Sequence, residues 1–199
     1  MDQGRVDQGR VDQAMAGGWS LSRSMILAVQ GGDRETIQAL LAASAQRMRG
    51  IGLRVIGVVE HLPPGGAHED VLLLDLVSGE THRLHQDLGP GAAGCSLDPA
   101  GLAAASAGVE RAVASRLAEG GDLSDTVVVL SKFGRQEAEG RGLTSAFHAA
   151  VAAELRVLTS VSPTVRAEWD GFAGDLAVVA PPEPALLEDW YAPAAAEAP

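Results

Sequence analysis

Two glycine-containing turns carry the residue types that suit the binding of an anion. The first, Gln30-Gly31-Gly32-Asp33, follows a short apolar run and precedes a helical pattern. Glycines let backbone N–H groups approach a ligand closely, and the N-terminus of the following helix adds partial positive charge. The Gly-x4-Gly-Lys-[Ser/Thr] spacing of a phosphate loop is absent, and Asp33 and Glu35 would repel a polyphosphate. This turn therefore predicts either a weak anion site or only a tight turn with Asp33 as the helix cap.

The second turn, Lys132–Gly142, collects cations in a chain that is acidic overall. Its candidate ligand contacts are Lys132, Phe133, Gly134, Arg135, Glu137 and Arg141. A long, glycine-containing charged loop at the carboxyl end of a buried strand is more often functional than decorative. If the two turns meet at the sheet edge, Lys132 would face an anion held on the Gly31 and Gly32 amides. The competing interpretation is a solvated loop in which Glu137 and Glu139 neutralise the arginines.

Other residues with reactive side chains are weaker candidates for a functional site than these two turns. Cys95 and Ser96 precede a helix that Asp98 is expected to cap, and the helix dipole would make the Cys95 thiol more reactive. No histidine base can be assigned to this thiol, so a small buried cysteine is the alternative. His82 and His85, three residues apart on a predicted strand, point to opposite faces and do not share a metal. Hydrolase triads, zinc spacings and dinucleotide fingerprints are absent, so we predict no catalytic residue and no metal site.

Buried strands alternate with amphipathic helices along the chain and must position both turns. Continuous apolar runs predict strands at 25–30, 53–60 and 126–130, each bounded by turn or helix signals. Asp33 and the pair Asp98-Pro99 precede helical patterns and predict helix N-termini. The second of these helices is expected to bury Leu102, Val109, Val113 and Leu117.

Shorter signals complete the pattern. The segments 71–77 and 80–86, on either side of Ser78-Gly79, predict a β-hairpin. Helices at 143–153 and 164–172 alternate with strands at 156–159 and 176–179. This alternation predicts an α/β fold of three layers, with a mostly parallel sheet flanked by helices and the β-hairpin inserted into it.

The length and the two ends of the chain predict one domain between two irregular segments. Residues 23–180 are expected to form the single α/β domain. Residues 1–22 begin with the tandem repeat MDQGRVDQGRVDQ and are predicted to be a disordered leader. Residues 181–199 are rich in Pro, Ala and Glu and are predicted to be a tail. The apolar residues of this tail form one amphipathic turn that docks on the body or on a partner: Leu186, Leu187, Trp190 and Tyr191.

The overall charge excludes two classes of partner. The 199 residues contain 15 Lys+Arg and 26 Asp+Glu, for a formal net charge of −11. Broad nucleic-acid binding and binding to anionic membranes both need a basic surface, so neither is expected. No apolar run approaches the roughly 20 residues of a membrane span, and no hydrophobic segment marks a secretory signal. We therefore expect a cytoplasmic protein without membrane insertion.

The order of elements and two motifs, QDLGPGAAGCSLDP and KFGRQEAEGRG, resemble a bacterial family of unknown function. Genes of that family lie beside molybdate-transport genes, and the family is distantly related to P-loop NTPases. The resemblance extends from about Met25 to Val179. The same layout resembles small nucleoside-triphosphatases and the adapter protein of molybdenum-cofactor guanylation. The resemblance implies a P-loop-NTPase-like fold and a link to molybdenum.

Two departures from the nucleotide-binding relatives separate this chain from a typical nucleoside-triphosphatase. In those relatives a lysine-bearing phosphate loop follows the first strand, and an Asp-Glu-x-Gly element follows a later one. Here Gly31-Gly32-Asp33 and Ser131-Lys132-Phe133-Gly134 stand in their places. The chain thus lacks the phosphate-binding lysine and the metal-holding carboxylate of phosphoryl transfer. The degenerate phosphate loop predicts a binding protein rather than an enzyme.

The ligand predicted for the degenerate loop is a small anion, either molybdate or a related oxyanion, or a nucleotide. Backbone amides together with Lys132, Arg135 or Arg141 would bind it. One alternative is a nucleoside-triphosphatase or nucleotide-dependent factor of molybdenum-cofactor metabolism. Another is an adapter without a ligand. The partner predicted for the chain is either a second copy of itself, in a homodimer, or a molybdenum-transport or enzyme-maturation protein onto which it docks.

Overall fold

The computed structural model describes residues 21, 24–86 and 97–192. The strands are β1 (Ile26–Val29), β2 (Arg54–His61), β3 (Leu72–Asp75), β4 (Thr81–Arg83), β5 (Thr126–Phe133), β6 (Arg156–Val161) and β7 (Ala177–Ala180). The helices are α1 (Arg34–Gly50), α2 (Pro99–Glu119), α3 (Arg135–Ala138), α4 (Thr144–Ala152), α5 (Arg166–Ala173) and α6 (Pro184–Tyr191). Short 3-10 turns occur at His68–Asp70, Pro163–Val165 and Gly174–Leu176.

The seven strands form one sheet in the order β4-β3-β2-β5-β6-β1-β7. Five neighbouring strands run parallel to one another: β2, β5, β6, β1 and β7. The hairpin β3-β4 adds to β2 in the antiparallel direction. The predicted α/β fold, a mostly parallel sheet with helices on it and an inserted hairpin, is confirmed. One strand, β6, lies between β1 and β5, so the two predicted turns leave strands that are not neighbours.

Apolar side chains on both faces of the sheet divide the core in two. Helices α1 and α6 cover one face through residues such as Leu41 and Leu187. Helices α2, α4 and α5 cover the other face through residues such as Val109, Phe147 and Trp169. A parallel sheet covered on both faces explains why its central strands are continuous apolar runs rather than alternating ones.

Two predicted helix starts are confirmed, and one predicted core residue is wrong. The Asp33 carboxylate accepts a hydrogen bond from the backbone N–H of Thr36 and caps α1. Asp98 caps α2 in the same way, with Pro99 as the first helical residue. Leu117, predicted in the core, is 45% exposed. The buried stripe of α2 passes through Arg116 instead, whose guanidinium hydrogen-bonds Thr126 and the carbonyl of Gly120.

Helix α6 packs against the sheet although it lies in the segment predicted to be a tail. Its Leu187 and Trp190 have no exposed surface. The indole Nε1–H of Trp190 donates to the carbonyl oxygen of Ser24, just before β1, at 3.0 Å. Arg156, the first residue of β6, lies over the Trp190 ring at 4.1 Å from its centroid. The packed body therefore continues past residue 180 to Tyr191.

No helix in the described ranges is long and apolar enough to cross a membrane.

Candidate functional site

The carboxyl ends of β5, β6 and β1 form the edge at which ligands bind in open parallel sheets. Both predicted turns leave this edge, the first from β1 and the second from β5. Because β6 lies between them and neighbouring strands are about 4.8 Å apart, roughly 10 Å separates the ends of β1 and β5. The two turns therefore share one edge without being adjacent.

The turn after β1 consists of four residues, of which Gly31, Gly32 and Asp33 are exposed. Gly31 has φ 101°, a left-handed conformation that favours glycine. A β-carbon on Gly32 would lie 3.1 Å from Cγ of Pro182, so the turn rests against the segment that leads to α6. Asp33 accepts hydrogen bonds from both the backbone N–H and the hydroxyl of Thr36, each at 2.8 Å. These hydrogen bonds lower the pKa of Asp33, so an ionised carboxylate occupies the N-terminus of α1 at neutral pH.

Gln30 connects the end of β1 to the end of β6. Its Nε2 lies 3.4 Å from the carbonyl oxygen of Val161, and its Oε1 accepts from Arg166 at 3.3 Å. Arg166 also pairs with Asp170 at 2.8 Å. Arg166 was not among the residues predicted to contact a ligand. The signal that would have found it is its position shortly after the carboxyl end of a parallel strand.

The second segment is not the loop that the sequence predicted. Ser131, Lys132 and Phe133 belong to β5, and residues 135–138 form the short helix α3. Between its register positions at Leu130 and Phe133, β5 carries one residue more than β6 does between Thr159 and Val161. This is a β-bulge, a feature that re-aims side chains and is common next to functional sites. The prediction of a long loop was wrong because a bulge admits polar residues that a regular buried strand does not.

Side chains from two other elements hold the bulge in place. The carbonyl oxygen of Ser131 accepts from Nε2 of Gln38 in α1 at 2.9 Å and from the hydroxyl of Ser160 in β6 at 2.8 Å. Gln38 is 6% exposed, and its Oε1 has no hydrogen-bond partner among the residues that the structure describes. Leu130 and Phe133 both pack into the core under α2 and α4. The two residues between them therefore turn together towards the opposite face, which α1 covers.

Lys132 lies on this bulge and is the sole lysine of the 199 residues. Its side chain is partly buried and runs past Gly134, where a β-carbon would lie 3.6 Å from Cε of Lys132. Among the described residues it has no hydrogen bond and no ion pair; it interacts electrostatically with Glu137. Arg135, exposed at the start of α3, likewise has no ion pair in the described part of the chain. These two cations are therefore available to a ligand.

Glu137 fixes the segment that carries these cations. Its carboxylate accepts from the backbone N–H groups of Gly134 at 2.8 Å and Leu143 at 2.9 Å. The residue is only 8% exposed. Burial raises its pKa, against the opposing influence of the two hydrogen bonds and of Lys132. Gly142, at φ 60°, lies so close that a β-carbon there would collide with Oε1 of Glu137.

The remaining predicted contacts are distributed differently. Phe133 is 2% exposed and packs edge-on against Phe147 and Trp169 in the core. Arg141 pairs with Glu139 and hydrogen-bonds Gln136, so its charge is already used. Cys95 and Ser96 lie outside the described residues. The structure thus brings Lys132 and Glu137 together at Gly134, which Arg135 follows in the chain, and it pairs Arg141 with Glu139.

No group of three potential metal ligands from His, Cys, Asp and Glu occurs within the described ranges. The His148 ring is exposed and stacks on Phe172, with centroids 5.5 Å apart and planes 9° from parallel. His85 lines a surface pocket of about 450 Å³ together with residues such as Pro63 and Arg83.

Two proteins of known name are similar to this chain, one in sequence and one in fold. The chain is 36% identical over 160 residues to the molybdenum import ATP-binding protein ModC 2 of Bradyrhizobium diazoefficiens. That match covers 79% of this chain and 17% of the relative, so the chain spans about one sixth of the relative's length.

A solved structure, THEP1 from the hyperthermophile Aquifex aeolicus, superposes with a TM-score of 0.51 at 16% identity. The superposition covers 82% of this chain and 94% of THEP1, and it confirms the predicted P-loop-NTPase-like fold while showing the fold alone. The family model named DUF2478, described as a protein of unknown function, matches residues 26–190. The chain therefore belongs to the DUF2478 family.

Proposed function

We propose that this chain is a non-hydrolytic binding unit that serves molybdenum import and takes an oxyanion or the phosphate groups of a nucleotide as its ligand. The observation that carries the proposal is the unpaired Lys132 on the β5 bulge. A partly buried cation without a partner is unfavourable in the free protein, and an anion at this edge would relieve that cost. Because the chain has a net charge of −11, its surface as a whole does not attract anions, and the attraction would come from this local site.

The same edge lacks the groups that phosphoryl transfer uses. Hydrolysis needs a lysine in the loop before α1 and carboxylates that hold Mg²⁺. Here four residues join β1 to α1, none of them is lysine, and Asp33 occupies the helix N-terminus. The Glu137 carboxylate, which interacts electrostatically with Lys132, is buried and engaged by two backbone amides. These features favour binding without turnover.

The link to molybdenum rests on the relative rather than on the geometry. The matching 160 residues make up 17% of a protein named for molybdenum import and ATP binding. A unit similar to this chain therefore occurs joined to a much longer polypeptide in that organism. This arrangement supports an accessory role in which the unit senses, stores or delivers the imported anion beside the importer.

Thermal unfolding in the presence of candidate ligands tests the proposal. A ligand that binds only the folded state stabilises it by about 2.7 kcal/mol at a hundredfold excess over its dissociation constant. We expect molybdate, tungstate or a nucleotide to raise the melting temperature of the wild type and not that of Lys132→Ala. The matched control is Arg111→Ala, which removes an exposed cation on α2 away from the edge. An identical shift in Lys132→Ala, or nucleotide-dependent phosphate release above that of this variant, would contradict the proposal.

A further inference from the structure

We infer that the site at the end of β5 takes a single tetrahedral oxyanion without a metal ion, in preference to a magnesium-bound nucleotide. The inference rests on the proposed function and narrows the class of its ligand. The β5 site is defined as Lys132 near the end of β5, Arg135 at the start of α3 and Gly134, which joins the two elements.

Three carboxylates near this edge are already engaged by protein groups. Glu137 is held by two backbone amides, and Asp33 by the amide and hydroxyl of Thr36. Glu60, at the end of β2, pairs with Arg34 at 2.9 Å. Mg²⁺ bound with phosphates is usually held by one or two free carboxylates. Because the described residues provide no group of three metal ligands either, the donor set suits an anion that arrives without a metal.

The separation of the two turns limits the size of the ligand. Lys132 lies near the end of β5, and the Gly31-Gly32 amides follow the end of β1. These two strands are about 10 Å apart, with β6 between them. A single oxyanion bound to Lys132 does not need the distant turn. A triphosphate that reached both would bring its charge beside the ionised Asp33 carboxylate, which its hydrogen bonds with Thr36 keep deprotonated. Electrostatic repulsion at that point disfavours the longer ligand.

The charges available match a dianion. The Lys132 side chain lies against Gly134, and Arg135 follows Gly134 in the chain. Neither has an ion pair in the described ranges, whereas Arg166 and Arg141 are already paired. Two cations beside one tetrahedral dianion allow charge-assisted hydrogen bonds from each. Molybdate, tungstate and sulfate share this shape and charge.

The sole lysine makes the β5 site observable by itself. Reductive methylation with ¹³C-formaldehyde keeps the positive charge of Lys132 and labels only this side chain and the N-terminal amine. We expect molybdate, tungstate or sulfate to shift the labelled Lys132 signal saturably in EDTA, while ATP with Mg²⁺ leaves it unchanged. Arg135→Ala should raise the dissociation constant about tenfold through the loss of one charge-assisted hydrogen bond. Arg111→Ala should leave that constant unaltered.

The outcomes separate this inference from the proposed function. A shift caused only by nucleotide with Mg²⁺, or equal binding of metal-free ATP, would overturn the oxyanion inference and leave the proposed function in place. No saturable shift with any ligand, or the same shift with chloride at matched ionic strength, would overturn both. Thermal unfolding of the unlabelled protein in the same solutions verifies that methylation does not create or abolish the binding.

Discussion

Two partly buried cations lie at opposite edges of the sheet, and the protein uses them differently. Arg156, at the amino end of β6, donates to the carbonyl oxygen of Trp190 and stacks on the Trp190 ring. Lys132, near the carboxyl end of β5, has no hydrogen bond or ion pair in the described part of the chain. A cation at a helix C-terminus and over an indole ring stabilises the fold. The contrast indicates that the cation at the amino edge stabilises the fold, whereas the charge of Lys132 at the carboxyl edge has no such partner among the described residues.

Breaking the amino edge should have the largest effect on stability. Trp190→Ala removes a fully buried ring, its hydrogen bond to Ser24 and the surface on which Arg156 stacks. We expect a loss of about 3–5 kcal/mol in the free energy of unfolding, measured by urea denaturation. Leu176→Ala, at a residue 41% exposed, serves as the control and should cost far less. A loss below about 1 kcal/mol for Trp190→Ala would mean that α6 is not part of the cooperative fold.

Substitution in the segment after Lys132 should have the next largest effect on the free energy of unfolding. Gly142→Ala forces a side chain into a left-handed conformation and against the carboxylate of Glu137. We expect a loss of about 2–3 kcal/mol, from backbone strain and from the disturbed carboxylate together. Gly140→Ala is a matched control, because Gly140 also has positive φ, 74°, but nothing lies within 4 Å of its β-carbon. Equal losses in the two variants would show that Glu137 does not brace this segment.

These two segments also show which parts of the fold a sequence reveals. The buried strands and the caps at Asp33 and Asp98 were predictable because apolar runs and cap residues act within a few positions. The amphipathic turn of α6 was predictable from the spacing of Leu187, Trp190 and Tyr191, although Pro, Ala and Glu dominate the surrounding segment. Which surface the turn docks on, the body or a partner, was not predictable, because it depends on contacts with α1 and the sheet that are distant in sequence.

The candidate site was predictable only in part for the same reason. The concentration of cations after β5 was visible in the sequence, and Lys132 was identified from it. The bulge that re-aims Lys132 was not, because it depends on Gln38 and Ser160, which are 93 and 29 residues from Ser131 along the chain. The contact between Gln30 and Arg166 spans 136 residues and left no local pattern either.

Titration of Glu137 should change the free energy of unfolding with pH, by a smaller amount than the two substitutions above. Burial raises the pKa of Glu137 in the folded protein above the 4.5 expected of an exposed glutamate. The folded state therefore binds this proton more tightly than the unfolded state does. The stabilisation is fully present below about pH 4.5 and is lost as pH rises through the raised pKa.

A comparison with Glu137→Gln isolates this titration, because glutamine cannot ionise and the other carboxylates titrate in both proteins. The wild type should lose stability relative to Glu137→Gln as pH rises through the window, by at most about 1.4 kcal/mol per pH unit. Urea denaturation at a series of pH values measures the difference. A difference that moves in favour of the wild type with rising pH would show that the pKa of Glu137 is lowered instead.

Removing the charge of Lys132 at the carboxyl edge should have the smallest effect on the free energy of unfolding. Lys132→Met retains most of the aliphatic stem and removes the charge, and Arg156→Met does the same at the amino edge. We expect Arg156→Met to cost about 1.5–3 kcal/mol, because it breaks a hydrogen bond from a charged donor and a cation–π contact. Lys132→Met should change the free energy of unfolding by no more than about 0.5 kcal/mol, since it breaks neither. A loss for Lys132→Met as large as that for Arg156→Met would show that Lys132 stabilises the bulge itself, and its charge would then not be free for an anion.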